Sequence, residues 1–325
     1  MSCFKKQNGD ASARRDHYQE ITDRIVAALE TGVAPWRKPW DPDKAGGPLS
    51  PINAATGRRY RGINVVLLGM SQFSFASGDP RFCSYKQAKE KGWQVRKGER
   101  GTTVIFYKQL HVEDRAAPAD AEDRTRRIPL LRAYTVFNAS QIDGIAPFIP
   151  PTVEEAPWRR FDAADVILRN SKAVVRIGGD RAFYSPATDH IQLPPEHAFR
   201  SPAGLAAVQI HELTHWSGAS HRLNRDLTGG FASPTYAKEE LVADIASCLV
   251  NSELGLPTDI ENHASYVASW LDHLKDDKRE IFQAAAAAQK AADYCLAFHP
   301  DFAESELDQP TDHESDDTAT LAEAA

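Results

Sequence analysis

Apolar positions along this chain recur at two spacings, and the places where the spacing changes mark its elements. Tyr18, Ile21, Ile25, Val26 and Leu29 follow a three-to-four-residue period. That period predicts a helix over 14–31, with Gly32 as its stop. Tyr85–Lys91 reads as a short helix that Ser84 caps and Gly92 follows. Thr102–Tyr107 and Ala133–Phe137 are rich in β-branched and aromatic residues, which predicts a strand pair. The polar stretch between them, EDRAAPADAEDRTRR, reads as an exposed excursion. Further on, Ala173–Ile177, Ala182–Tyr184 and His190–Leu193 are short strand candidates. Helical stretches are predicted over Ala203–Ser217, Lys238–Glu253, Asp259–His273 and Arg279–Phe298.

Proline and glycine divide these elements. The stretch APWRKPWDPDKAGGPLSP after the first helix reads as an ordered loop. Pro147–Trp158, PFIPPTVEEAPW, reads as a linker, because repeated prolines stiffen it and remove backbone donors. From Asp301 the chain is acidic and nearly devoid of aromatics, which predicts disorder. The expected class is α+β in two domains. The first, 1–146, mixes helices and strands; 147–158 is the linker. The second, 159–300, combines a small sheet with helices, and 301–325 is an acidic tail.

Composition adds a compartment and a charge pattern. At 325 residues, 42% hydrophobic and 26% charged, the chain is long enough for two cores and has no apolar run of membrane-spanning length. Its N-terminus has no apolar stretch of the secretory kind. Cys3, Cys83, Cys248 and Cys295 lie far apart and form no CxxC pair. The expected home is therefore a reducing cytoplasm. Through residue 150 there are 24 Lys and Arg against 16 Asp and Glu, and the remainder holds 14 against 29. A basic first half beside an acidic second half points to nucleic-acid contact by the first.

The same half interleaves rings with cations. Trp36, Arg37, Lys38 and Trp40 do so in the loop, Arg58, Arg59, Tyr60 and Arg61 beyond it, and then Tyr85, Lys86, Lys91, Trp93, Arg96 and Lys97. Single strands are bound in this way, with bases stacked on rings and phosphates followed by Lys and Arg. Trp and Tyr also fill cores, and Trp36 and Trp93 are the ones most readily assigned there. The expected partner is single-stranded DNA, bound more tightly than duplex and more weakly as salt rises.

His211–His221 reads HELTHWSGASH. On a helix, residues four apart share a face, so His211 and His215 point at one ion and Glu212 lies beside it as a proton acceptor. Imidazole suits zinc, and Mn or another divalent metal accepts the same donors. The third ligand has two candidates. His221 extends the match to the HExxHxxGxxH of metzincins, but that class needs a methionine turn after the motif. Met1 and Met70 both precede it. Glu240, in EELVADIAS, lies on the next predicted helix with Asp244 one turn beyond. This resembles the glutamate zincins, in which a second helix supplies a carboxylate ligand and the following aspartate accepts from a ligating histidine. Coordination logic favours Glu240. Glu239 is expected to face another side as a solvated carboxylate.

Three stretches, GRRYRGINVVLL, YKQAKEKGWQVRKGERGTTVIFYK and YTVFNASQIDG, resemble the N-terminal domain of ArdC-type antirestriction proteins, shared with TraC-type plasmid primases. HELTHWSGASHRLNR and YAKEELVADIAS resemble the zincin-like metallopeptidase domain of the same proteins. The likeness runs from about Arg14 to His299. It implies a domain that binds single-stranded DNA and a metallopeptidase-like domain. It also implies a plasmid-borne role, protecting incoming DNA from restriction during conjugation, with a protein of the host restriction system as candidate substrate. Carried over, His211, His215 and Glu240 are metal ligands and Glu212 is the catalytic acid and base. Two other readings stand beside this one. In the first, the metal domain is a non-catalytic module on a DNA-binding protein. In the second it is a nuclease, against which the single HExxH and the acidic second half both count.

Overall fold

The computed structural model describes residues 16–32, 34, 36, 50–71, 78–113, 125–149, 157–230, 233–256 and 264–303. Their backbone falls into two compact units, each discontinuous in sequence. One draws on 1–38, 51–148 and 262–285, and the other on 39–50, 149–261 and 286–325.

In the first unit, helix α1 (His17–Glu30) begins at Asp16, whose carboxylate accepts from the Gln19 N–H. Its buried face holds Ile21, Ile25 and Leu29 at helical spacing. It packs against α7 (Ala264–Asp276), and just beyond that helix the Thr22 hydroxyl donates to the Lys278 carbonyl and the Tyr18 ring meets Phe282 edge-on. The sheet of this unit runs β1-β2-β5-β4. Strands β1 (Ile52–Asn53) and β2 (Arg81–Ser84) are parallel, and β4 (Thr102–Glu113) and β5 (Thr125–Asn138) form a long antiparallel ribbon. Only Val136–Asn138 of that ribbon also pairs with β2.

Helix α2 (Ile63–Gly69) lies on β4, pinned by Asn64, whose amide both donates to and accepts from the Ile105 backbone at 2.8 Å. Leu68, Phe82, Val104 and Val136 make the core beneath it. On the other side of β2, Cys83 and Ala88 join Val95 and Ile142 from the small pair β3 (Gln94–Val95) and β6 (Ile142–Asp143). Helix α3 (Tyr85–Glu90) starts at a reciprocal cap in which Ser84 and Gln87 satisfy each other's backbone N–H groups.

In the second unit, β7 (Val174–Ile177), β9 (His190–Leu193) and β8 (Phe183–Ser185) form a mixed sheet with β9 central. Helix α4 (Pro157–Ser171) was not predicted. Its first two residues are the last two of the expected linker, and proline is well placed in a first helical turn. Two helices then carry the site. In α5 (Pro202–Ser217) the Ser201 hydroxyl accepts from Gly204 N–H at 3.1 Å. In α6 (Pro234–Leu254) the Ser233 hydroxyl accepts from Tyr236 N–H at 3.2 Å, and Gly255 ends it in the left-handed region at φ 68°. Both become buried all round, and the charged side chains Glu212, Glu239, Glu240 and Asp244 are buried with their apolar neighbours. Ala243, Ala246 and Ser247 keep the approach of α6 close, and the Thr214 hydroxyl on α5 reaches the Ala243 carbonyl at 3.3 Å.

Helix α8 (Glu280–Leu296) and the short α9 (Pro300–Ala303) complete the described chain. Most of the linker and the tail predicted from sequence, at 150–156 and 304–325, lie outside the described residues.

Candidate metal centre

His211 and His215 sit one turn apart near the end of α5, and Glu240 projects from the second turn of α6. All three are buried. The rings of His211 and His215 are edge to face, with centroids 4.8 Å apart. Glu240 bridges them: its Oε2 lies 3.7 Å from His211 Nε2 and its Oε1 lies 3.5 Å from His215 Nε2. One ligand atom from each residue lies within 4.8 Å of the other two. Bonds of about 2.0–2.2 Å from a tetrahedral ion to such donors require edges of roughly 3.3–3.6 Å. Two imidazoles and one carboxylate converging in this way can hold a divalent cation once their donors, which lie within 4.8 Å of one another, close to those edges.

Glu212 is buried beside them, and burial pushes its carboxyl above the ordinary range against the pull of the two imidazoles. The Tyr184 backbone on edge strand β8 lies close enough to draw this carboxyl back down a little. Burial alone would lower the His215 imidazole, but the carboxylates of Glu240 and Glu239 beside it hold it well above its usual value. Burial works equally against ionising Glu240, and the facing imidazoles hold its carboxyl far below the usual range.

His221 is not with these residues. Its side chain is 62% exposed and lies 3.4 Å from Asp189, where the loop after α5 turns outward. Its neighbour Arg222 is the buried one, stacked over the Trp216 ring at 3.8 Å and donating to the Trp216 carbonyl and to Asp189. Asp244, expected to support a histidine, is fully buried on α6. Glu239 corrects the expectation of a solvated carboxylate. It is buried, and its Oε1 lies 3.1 Å from His215 Nδ1, while Arg225 donates to both of its oxygens. No local signal marks this, because the residue that neutralises Glu239 lies in a loop fourteen positions upstream.

The candidate nucleic-acid residues separate by exposure. Trp36 is 5% exposed and packs on Trp270 at 5.7 Å, so its ring is core and offers no face to a base. Tyr60 is half-buried against Leu68 and Phe82, with its hydroxyl donating to the Phe82 carbonyl, and is likewise structural. Trp93 packs beside Ala88 and Val95. Arg61 is half-buried. Tyr85 is 52% exposed, and Arg58, Arg59, Lys86, Lys91 and Lys97 are exposed. Arg96 is exposed too, but is shared among Glu99, Asp143 and the Ser140 carbonyl. Arg37, Lys38 and Trp40 lie outside the described residues.

Fold and site together define a zincin-like domain and a second, α+β domain, and comparison with known proteins says the same. Residues 162–287 match the family of zincin-like metallopeptidases, and residues 15–137 match the N-terminal domain of the anti-restriction factor ArdC. The crystal structure of the antirestriction protein ArdC from plasmid R388 superposes with a TM-score of 0.72 in its metal-free form and 0.71 in its Mn(II)-bound form. Identity is 40%, over 87% of this chain and 98% of that one. An uncharacterised Sinorhizobium fredii protein, y4eC, is 38% identical over 90% of this chain and 95% of its own length. A DNA primase TraC of Escherichia coli is 42% identical over 89% of this chain, which spans only 28% of that primase. The chain belongs to the ArdC antirestriction family.

Proposed function

We propose that this protein binds single-stranded DNA through its first unit and carries a divalent-metal peptidase centre in its second, and that it protects DNA entering by conjugation from host restriction. The observation that carries the peptidase reading is the buried convergence of His211, His215 and Glu240 on one point, with Glu212 beside it. His211 and His215 would hold the cation through ring nitrogens and Glu240 through a carboxylate oxygen. Zinc is the ion such sites most often take, and the Mn(II) form of the R388 relative supports manganese as an alternative. When bound, the ion supplies Lewis acidity, polarising a peptide carbonyl and making nearby water more acidic. Glu212 would take the proton of the attacking water and deliver it to the leaving amine. Burial raises this carboxyl, which makes its ionised form a better proton acceptor than an ordinary carboxylate while its acid form can still donate to a basic leaving amine.

For the DNA reading, the exposed ring of Tyr85 and the exposed cations Lys86, Lys91, Lys97, Arg58 and Arg59 supply stacking and phosphate contacts. The primase relatives support nucleic acid as the ligand. Among the described residues no helix is long and apolar enough to cross a membrane.

The test is a comparison of native and Glu212→Gln protein incubated with extract of a restricting host, read by mass spectrometry of new peptide N-termini. New termini with the native protein alone are expected. Identical sets from both proteins would sink the peptidase reading. DNA binding is tested separately, by anisotropy on single and double strands at several salt concentrations. Equal affinity for both forms would count against stacking.

A further inference from the structure

Resting on the reading of His211, His215 and Glu240 as a cation site, we propose that Arg225 and Glu239 are positioning residues that clamp the His215 ring into the one orientation and tautomer able to bind the ion. The clamp starts in the loop that leaves α5. There the chain folds back on the helix end, with Arg225 N–H donating to the Gly218 carbonyl at 2.8 Å and Leu223 N–H to the Ser217 carbonyl at 3.0 Å. This brings the Arg225 guanidinium into the gap between α5 and α6, where its side chain is 11% exposed.

Its donors are then spent on both helices. Nη2 meets the Thr214 carbonyl at 2.6 Å and Nη1 the Ser217 hydroxyl at 3.0 Å, both on α5. Nε and Nη2 meet the two carboxylate oxygens of Glu239 on α6 at 2.9 and 2.8 Å. A planar guanidinium gripping a carboxylate through two parallel bonds fixes its plane as well as its position. Room for the group depends on Gly218. A Cβ there would stand 2.7 Å from Arg225 Nη2 and 2.9 Å from Cζ.

Glu239 Oε1, held in this way, faces His215 Nδ1 at 3.1 Å, while Glu240 Oε1 faces Nε2 of the same ring at 3.5 Å. Two consecutive residues of α6 therefore engage the two nitrogens of one imidazole. An ionised carboxylate only accepts, so when the ring gives up one proton to bind a cation the one that stays is on Nδ1. That leaves the Nε2 lone pair directed at the point where His211 and Glu240 converge. The guanidinium also neutralises Glu239, so this carboxylate orients the ring without competing as a ligand.

The test uses the full chain with Mn(II) as the probe. Mn(II) affinity is measured by calorimetry for native protein, Glu239→Leu, Glu239→Gln and the double variant Arg225→Met with Glu239→Gln, which strands no buried charge. Circular dichroism checks the fold, and spectra of ¹⁵N-histidine-labelled, metal-free protein report the hydrogen-bonded Nδ1–H of His215. Glu239→Leu is expected to weaken Mn(II) by roughly 10–100-fold, the usual cost of losing a partner of a ligating histidine, and to lose that resonance. Glu239→Gln, whose amide oxygen still accepts, keeps the resonance and loses less. The double variant loses more than Glu239→Gln alone, because the amide is then free to turn. Folded Glu239→Leu and double variants with native Mn(II) affinity overturn the clamp. Native protein that takes up no Mn(II) overturns the cation reading instead. In that case the resonance decides the clamp alone, and its persistence in Glu239→Leu refutes it.

Discussion

Replacing Glu240 by alanine removes the single anionic donor among the three residues that converge on the candidate cation position. The size of the effect follows from linkage between binding and folding. At a cation concentration one hundred times its dissociation constant, the native protein gains about 2.7 kcal/mol. For a unit of this size each kcal/mol raises the unfolding midpoint by roughly 2–4 °C, so the expected shift is about 5–10 °C. Without Glu240 the two imidazoles remain on α5 with ring centroids 4.8 Å apart, but the carboxylate that faces both of their Nε2 atoms, at 3.5 and 3.7 Å, is gone. A hundredfold loss of affinity, about 2.7 kcal/mol, brings the same concentration down to the dissociation constant. The gain there is about 0.4 kcal/mol and the shift about 1 °C. The assay is thermal unfolding of each protein with and without Zn(II) or Mn(II). Taking the difference within each variant removes any change in the metal-free protein. A Glu240→Ala protein whose midpoint rises with metal as far as the native one does would refute Glu240 as a ligand.

Two further predictions separate surface roles from core roles and follow one pH effect. Tyr85→Ala is expected to weaken single-strand binding by about 1–3 kcal/mol without changing stability. Trp36→Ala is expected to destabilise the fold by about 3–5 kcal/mol through its lost packing on Trp270; anisotropy and chemical unfolding on both variants check this, and the reverse pattern would contradict the burial argument. Asp189 is held below the ordinary carboxylate range, chiefly by its hydrogen bond from Arg222. A lowered pKa stabilises above its unfolded value and the contribution is lost as pH falls through the folded one. Below about pH 4, stability should therefore fall less steeply in Asp189→Asn than in native protein, as read from unfolding midpoints across acid pH.

How far the sequence reached differs between elements. The HExxH helix was legible because four-residue spacing and an alanine-rich lead-in are local signals, and α5 runs from Pro202 to Ser217, one residue earlier than the expected Ala203 start. The short helix at Tyr85 was legible for the same reason, since its cap closes within four residues. Strands of two residues such as β1, β3 and β6 left no period to read; β1 forms only beside the longer β2, and β3 and β6 only by pairing with each other across the chain. Helix α4 was hidden by the prolines before it.

The sequence by itself determined which residues have the chemistry: two imidazoles on one helical face with a carboxylate beside them, a second carboxylate on the next helical stretch, and cations interleaved with rings in the basic half. Tertiary structure decided what each was for. It buried Trp36 on Trp270 and left Tyr85 exposed. It turned His221 outward to Asp189 and drew Arg225 inward. It made Glu239 a partner of His215 although its helical position alone pointed elsewhere. The reason is common to all three. A charged or aromatic side chain is stable inside only where a distant segment brings its counter-charge or its packing surface, and the distance along the chain carries no trace of that meeting.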